Sequence, residues 1–178
     1  MSQPSPPAPA KLVIGFFLRD RDLAASVIGR LVERFGAIDL VSQWMPFDYT
    51  AYYAKEMGQP LFRRLVVFRK LVAQTALAAI KVSTNRIEQK LMQASRRRVN
   101  IDPGYLLAER FVLASGKNLS HRIYLDQGIY ADLTLLFERG RFKSLPWTYP
   151  DYGDAPVQSF LRKVRRKYVI DLQRTTEA

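Results

Sequence analysis

The chain holds a single histidine, so acid–base chemistry carried by an imidazole near neutral pH would have to run through His121. That residue opens the run Ser120-His121-Arg122-Ile123-Tyr124-Leu125, and the turn signal Asp126-Gln127-Gly128 joins it to Ile129-Tyr130-Ala131-Asp132. If both runs are strands of one hairpin, His121, Ile123 and Leu125 share one face and Arg122 and Tyr124 the other, so histidine and arginine are expected to point apart. Asp102 and Asp132 are the carboxylates able to orient the imidazole, and Lys117 and Arg122 the cations able to hold a phosphate. A plainer reading competes with each. A lone histidine at a strand end serves packing, and an aspartate beside Pro103-Gly104 accepts hydrogen bonds within a turn.

A second concentration is Leu145-Pro146-Trp147-Thr148-Tyr149-Pro150-Asp151-Tyr152, a proline-stiffened stretch with aromatic rings around an aspartate. Trp147, Tyr149 and Tyr152 can stack on a base or line a pocket beside Asp151, as can Tyr124 and Tyr130 of the hairpin; they can equally seal the core against Tyr49, Tyr52 and Tyr53. A third is basic. Arg96, Arg97 and Arg98 form one cluster, and Arg162, Lys163, Arg165, Arg166 and Lys167 another near the carboxyl end. Were these to bind nucleic acid, the contacts would be to phosphates, with steep salt dependence and little sequence preference; a solvated helix face explains them without a partner.

Composition excludes more than it selects. Without cysteine there are no disulfides, thiolate zinc sites, iron–sulfur clusters or thiol nucleophiles. One histidine fails every motif that needs two imidazoles, and no metal site is expected. Gly116-Lys117-Asn118 has Phe111 where a phosphate loop needs its leading glycine, and no Gly-x-Ser-x-Gly elbow occurs. The 28 lysines and arginines against 16 acids leave a formal charge of +12, which draws polyanions: nucleic acid or an anionic small molecule. No segment is apolar for long enough to span a bilayer, and the start lacks signal-peptide flanks, so a cytoplasmic location is expected.

These residues need a scaffold, and the 178-residue chain with 48% apolar residues suffices for one domain. Residues 1–10, rich in Pro4, Pro6, Pro7 and Pro9, read as a disordered tail, and 11–178 as the domain. Lys11 to Leu18 is an apolar run typical of a central strand. Asp22 to Phe35 places Leu23, Val27, Ile28, Leu31 and Phe35 on one helical face and stops at Gly36; Ile38 to Trp44 returns to strand, completing a strand–helix–strand unit. A short helix capped by Asp48 ends at Gly58. Leu61 to Leu71 reads as strand, and a helix capped by Thr75 runs to 94. Asp102-Pro103-Gly104-Tyr105 reads as a type II turn. Leu106 to Ser115 fits either a strand or a helix with Pro103 at its first position, the strand being preferred. Ser120 to Leu125, Ile129 to Glu138 and Arg141 to Trp147 read as an antiparallel meander, and Pro156 to Leu172 as a closing basic helix. The expected fold is therefore α+β: a mixed or mostly antiparallel sheet with helices 22–35, 75–94 and 156–172 packed on it, starting like half of a ferredoxin-like fold.

Pro46-Phe47-Asp48-Tyr49-Thr50, Tyr53 to Gly58, Arg98 to Tyr105, Ser120 to Leu125, Gly128 to Ala131 and Leu145 to Tyr152 together resemble a bacterial family known as domain of unknown function 4416, over Lys11 to about Tyr168. The resemblance implies a bacterial protein and supplies no catalytic residues. Some members carry a GTP-binding label, which the missing phosphate loop argues against here. Three classes of function follow from the residues: a basic binding module for an anionic ligand, nucleotide or RNA; an enzyme on a phosphorylated or nucleotide substrate, with His121 as acid or base; and a protein-interaction scaffold. Cofactor and oligomeric state are not readable.

Overall fold

In the computed structural model the chain runs β1 (Ala10–Leu18), α1 (Leu23–Phe35), β2 (Ile38–Val41), β3 (Met45–Pro46), α2 (Ala54–Met57), β4 (Phe62–Val72), α3 (Leu77–Lys90), β5 (Val99–Leu106), β6 (Arg110–Ser115), β7 (Arg122–Asp126), β8 (Ile129–Glu138), β9 (Arg141–Ser144), α4 (Pro150–Gly153) and α5 (Ala155–Thr176). The structure describes residues 1–176, with side chains as far as Gln173; the last two residues of the expected domain lie outside it. Every residue of β1 is buried, as its apolar run requires. The strand pairs antiparallel with β4 on one side and β5 on the other.

The sheet order is β2-β4-β1-β5-β6-β8-β7, with β3 on β4 and β9 on β8. Since β1 and β2 are each antiparallel to β4, they run parallel to one another with β4 between them, and α1 makes the crossover. Leu12, Ile14, Phe16 and Leu18 pack against Val27 and Leu31 of α1 and Ile80 and Ile87 of α3. On the opposite face, Val13, Leu65 and Val67 pack against Leu161, Val164 and Tyr168 of α5. The sheet is thus covered by helices on both faces at its centre. Lys11, fully buried, lies 2.6 Å from both Asp39 of β2 and Asp171 of α5 and ties the last helix to the first strands.

The two late hairpins turn as their residues demand. Gln127 and Gly128 have φ of 53° and 74°, Arg139 and Gly140 48° and 80°, so each loop takes positive φ at both central positions and matches the strand twist. β7 and β9 both pair with β8, using successive stretches of its length, while β6 pairs with it at Arg110 to Ser115.

Several local expectations are corrected. Asp102-Pro103-Gly104-Tyr105 is no turn but the interior of β5, with Gly15 opposite Asp102 and Ile14 opposite Pro103. A proline is tolerated there because the ladder to β6 starts only at Gly104, and glycine is needed because a Cβ would stand 2.5 Å from the Val112 carbonyl oxygen. The chain reverses instead at Leu107, whose N–H donates to the Arg110 carbonyl, and 110–115 is strand. Asp48 does not cap the short helix, which begins after Tyr53. Thr75 lies in a 3-10 turn that leads into α3, and that helix ends at Lys90 rather than 94. Ala10, placed in the tail by its neighbours, is buried in β1.

Candidate functional site

Strands β5 and β6 pair only at Gly104 with Leu113, Tyr105 with Val112 and Leu106 with Phe111. Beyond that, β5 continues along β1 through Asp102 and Asn100, whereas β6 follows β8 through Ala114 and Ser115. The sheet splits, and a cavity of about 600 Å³ fills the opening. Asn100 and Asp102 line one wall, Leu113 to Lys117 with Asp132 the other; Lys81 reaches it from α3, and the segments around Phe47 to Tyr53 and Tyr149 to Tyr152 close it.

Rings make up much of the enclosure. Phe17 stacks on Phe47 with centroids 4.1 Å apart and planes 8° off parallel, and Tyr53 meets Phe17 edge-on at 4.7 Å. Phe47 is buried, Tyr53 partly so, and Tyr49 and Tyr52 are exposed, so the cluster both seals the core and faces the cavity. Burial, reinforced by Asp102, pushes the Tyr53 hydroxyl up to about 12. Tyr49 is also raised to about 12, by burial and by its hydrogen bond to Asp154.

The polar groups form two chains. In the first, Arg97 pairs with Glu56 at 2.9 Å and donates to Asn100 Oδ1 at 2.7 Å; Asn100 Nδ2 donates to Asp102 Oδ2 at 2.7 Å. Lys81 Nζ lies 3.6 Å from Asp102 Oδ1 and donates to the Ile101 carbonyl at 2.7 Å. Beside it, burial pushes Glu88 up to about 7 even though its carboxylate accepts the Ile101 N–H at 2.6 Å and Lys81 favours its charge. In the second chain, Arg122 Nε donates to Asp132 at 2.9 Å, Nη1 to Ser115 Oγ at 2.5 Å and the Lys117 carbonyl at 3.0 Å, and Nη2 to the Tyr149 hydroxyl at 2.5 Å. Asp151 and Tyr152 line the cavity as well, and Arg63, ion-paired with Asp151, lies over the Tyr152 ring at 4.1 Å without lining it.

With the geometry in view, comparison with protein-family models matches residues 8–168 to the family described as Domain of unknown function (DUF4416). The chain belongs to that family. No curated protein and no solved structure is significantly similar to it. In this DUF4416 chain no helix among the described residues is long and apolar enough to cross a membrane.

Of the residues singled out from the sequence, Asp102, Asp132, Lys117, Tyr149, Asp151 and Tyr152 line the cavity. His121, Arg122 and Trp147 meet just behind it. The expected opposition of His121 and Arg122 is corrected: His121 lies in the turn before β7, not in the strand, so both side chains reach the same oxygen, Asp132 Oδ2, at 3.4 and 2.9 Å. The imidazole stacks on Trp147 at 5.0 Å, and the indole N–H donates to the Leu133 carbonyl. Tyr124 and Tyr130 pair edge-on with each other and do not line the cavity. With Ile123, Tyr124 leaves the β7 edge apolar and exposed.

The basic clusters divide. Arg97 lines the cavity, Arg98 pairs with Asp20, and Arg96 is exposed. On α5, Arg162, Lys163 and Arg166 are exposed, but Arg165 lies over Phe137 at 3.7 Å and donates to the Ala108 carbonyl, and Lys167 pairs with Asp171 and Asp39. Because Val99, next to Arg98, opposes Leu18, whereas Lys167 shares Asp39 with Lys11, the clusters flank opposite ends of β1, on the order of 20 Å apart at the strand rise of ~3.3 Å per residue. Sequence reasoning missed Lys81, Asn100, Arg63 and Phe17. Lys81 did carry a signal, a cation among Leu77, Ile80, Thr84 and Ile87 on the buried face of its helix.

Proposed function

We propose that this chain is a binding module for one anionic small molecule bearing a planar ring, a nucleotide being the class that meets both requirements, held in the crevice between β5 and β6. The observation that carries the reading is the cavity: about 600 Å³, walled by Phe17, Phe47, Tyr53 and Tyr49, with Lys117 on its rim. Its size falls within the roughly 300–1,000 Å³ of small-molecule sites, and mostly apolar walls with a few converging polar groups are their common make-up. Lys117 carries the charge argument. Its ammonium lies 4.8 Å over the Tyr52 ring with no ion pair among the described residues, whereas Lys81, Arg97, Arg63 and Arg122 already face carboxylates. The separation of the basic clusters favours a compact ligand over an extended RNA strand.

Titration of nucleoside monophosphates and a short RNA by calorimetry across a salt series tests this. Saturable one-to-one nucleotide binding, weakened roughly tenfold by Lys117→Ala, is the expected result. Absence of nucleotide binding at low salt removes the reading.

The second reading, an enzyme on a phosphorylated or nucleotide substrate, is favoured by one observation: Asp102 is 32% exposed in the cavity, with Lys81 3.6 Å away. Such an enzyme would use Asp102 as its base, with His121 orienting Asp132 from behind. An interaction scaffold draws support only from the exposed edge of β7.

A further inference from the structure

We infer that Asp102 reads the ring of the ligand: its carboxylate takes a hydrogen bond from an amino group on the ring edge, so the cavity selects aminated bases over their carbonyl counterparts. The inference rests on the nucleotide reading. Asn100 and Asp102 stand two residues apart on β5 and share one face, with Phe17 and Gly15 of β1 opposite them. Both line the cavity. The Asn100 amide is oriented from behind: Arg97, itself held by Glu56, donates to its Oδ1 at 2.7 Å, which leaves Nδ2 to donate to Asp102 Oδ2 at 2.7 Å. Asp102 Oδ1 receives no hydrogen bond from the described residues. The Lys81 ammonium stands 3.6 Å from it, too far for one, and donates to the Ile101 carbonyl at 2.7 Å instead.

Exposure separates this carboxylate from the others in the cavity. The Asp102 side chain is 32% exposed, whereas those of Asp132 and Asp151 are at 1% and 9% and are each paired with an arginine. A ligand group therefore reaches Asp102 far more readily than the other two. That group has to be a donor, because a carbonyl or phosphate oxygen would face an acceptor, and it can be neutral, because Lys81 already offsets the charge. The position of Asp102 says which donor of a nucleotide it meets. Its charge raises the Tyr53 hydroxyl, and Tyr53 meets Phe17 edge-on, so the carboxylate borders the wall of rings. Lys117, which draws the phosphate, is exposed on the rim beside Tyr52. A base lying against the wall thus brings its edge to Asp102, with the ribose nearer the rim and the phosphate outward. An amino group on that edge completes Oδ1, and a carbonyl in its place sets acceptor against acceptor.

Two pairs of nucleotides provide the test. Adenosine and inosine 5′-monophosphates carry an amino group and a carbonyl at the same ring position, as do cytidine and uridine 5′-monophosphates; 2′-deoxyadenosine 5′-monophosphate reports any contact to the ribose. Affinities are measured by calorimetry on the full chain and on Asp102→Asn. The wild type is expected to prefer the amino member of each pair by roughly tenfold or more, and to bind the deoxynucleotide within about threefold of adenosine monophosphate. In Asp102→Asn the Asn100 amide, still fixed by Arg97, holds the new carbonyl oxygen and leaves the new amide N–H groups to the ring, so the order within each pair should reverse. Equal wild-type affinities within the pairs, an amino preference that survives in Asp102→Asn, or a loss seen only with the deoxynucleotide overturns the inference while leaving the cavity reading in place. Failure of every nucleotide to bind overturns both, and the wild-type comparison decides without any variant.

Discussion

Arg122→Met is the perturbation that best isolates how the second polar chain is built. Arg122 is 6% exposed and Asp132 1%. The methionine keeps an apolar stem of similar length but removes the donors to Asp132, Ser115, the Lys117 carbonyl and Tyr149. Ser115, Lys117 and Tyr149 stand near solvent, where water can replace the arginine at little cost. Asp132 cannot be rehydrated so easily, and removing one partner of a buried ion pair costs about 3–5 kcal/mol. With a urea m-value near ~2 kcal/mol/M, the unfolding midpoint should fall by about 2 M at unchanged m. The double variant Arg122→Met/Asp132→Leu removes the stranded charge as well and should recover most of that loss, to within about 1–2 kcal/mol of wild type. Urea unfolding followed by circular dichroism measures all three proteins. A single-variant loss below about 1 kcal/mol, or a double variant no more stable than the single, would refute the argument that Arg122 is committed to holding Asp132 rather than to ligand.

Two further outcomes follow from the same packing. Glu88, raised from 4.5 to about 7, keeps its proton in the folded state where the unfolded chain has lost it, so its contribution to stability declines as pH rises from about 4.5 to about 7 and is level above. Glu88→Gln, which still offers an oxygen to the Ile101 N–H, should remove that decline, about 3 kcal/mol, in melting curves taken between pH 4 and 8. Gly104→Ala forces a Cβ to within 2.5 Å of the Val112 carbonyl oxygen, and backbone cannot yield as a side chain does. It should cost about 2–3 kcal/mol in the same urea assay and expose the β5–β6 amides to hydrogen exchange.

The elements were legible where burial and local chemistry agree. The apolar run of β1, the one-sided face of α1 and the Gln127-Gly128 and Arg139-Gly140 turns each state their structure through a pattern that neighbours in sequence suffice to set. The reading failed at Asp102-Pro103-Gly104-Tyr105, whose residues favour a turn but whose strand is held by β1 on one side and left unpaired on the other beyond Gly104. That is tertiary pairing overriding local preference. His121 was misplaced because the strand expected from Ser120 begins only at Arg122; His121 lies in the turn before it, where the alternation of faces no longer sets a side chain's direction.

Class of fold, sign of the surface charge and the exclusion of thiol, zinc-finger and phosphate-loop chemistry are settled by residue types and short spacings, since these need nothing beyond composition and the period of each element. The site is different. Its walls come from residues as far apart as Phe17 and Tyr152, and it exists only because two strands that pair for a short stretch then part to follow different neighbours. Where a ladder ends depends on the sum of long-range hydrogen bonds and packing across the whole sheet, a quantity that no local stretch of sequence carries.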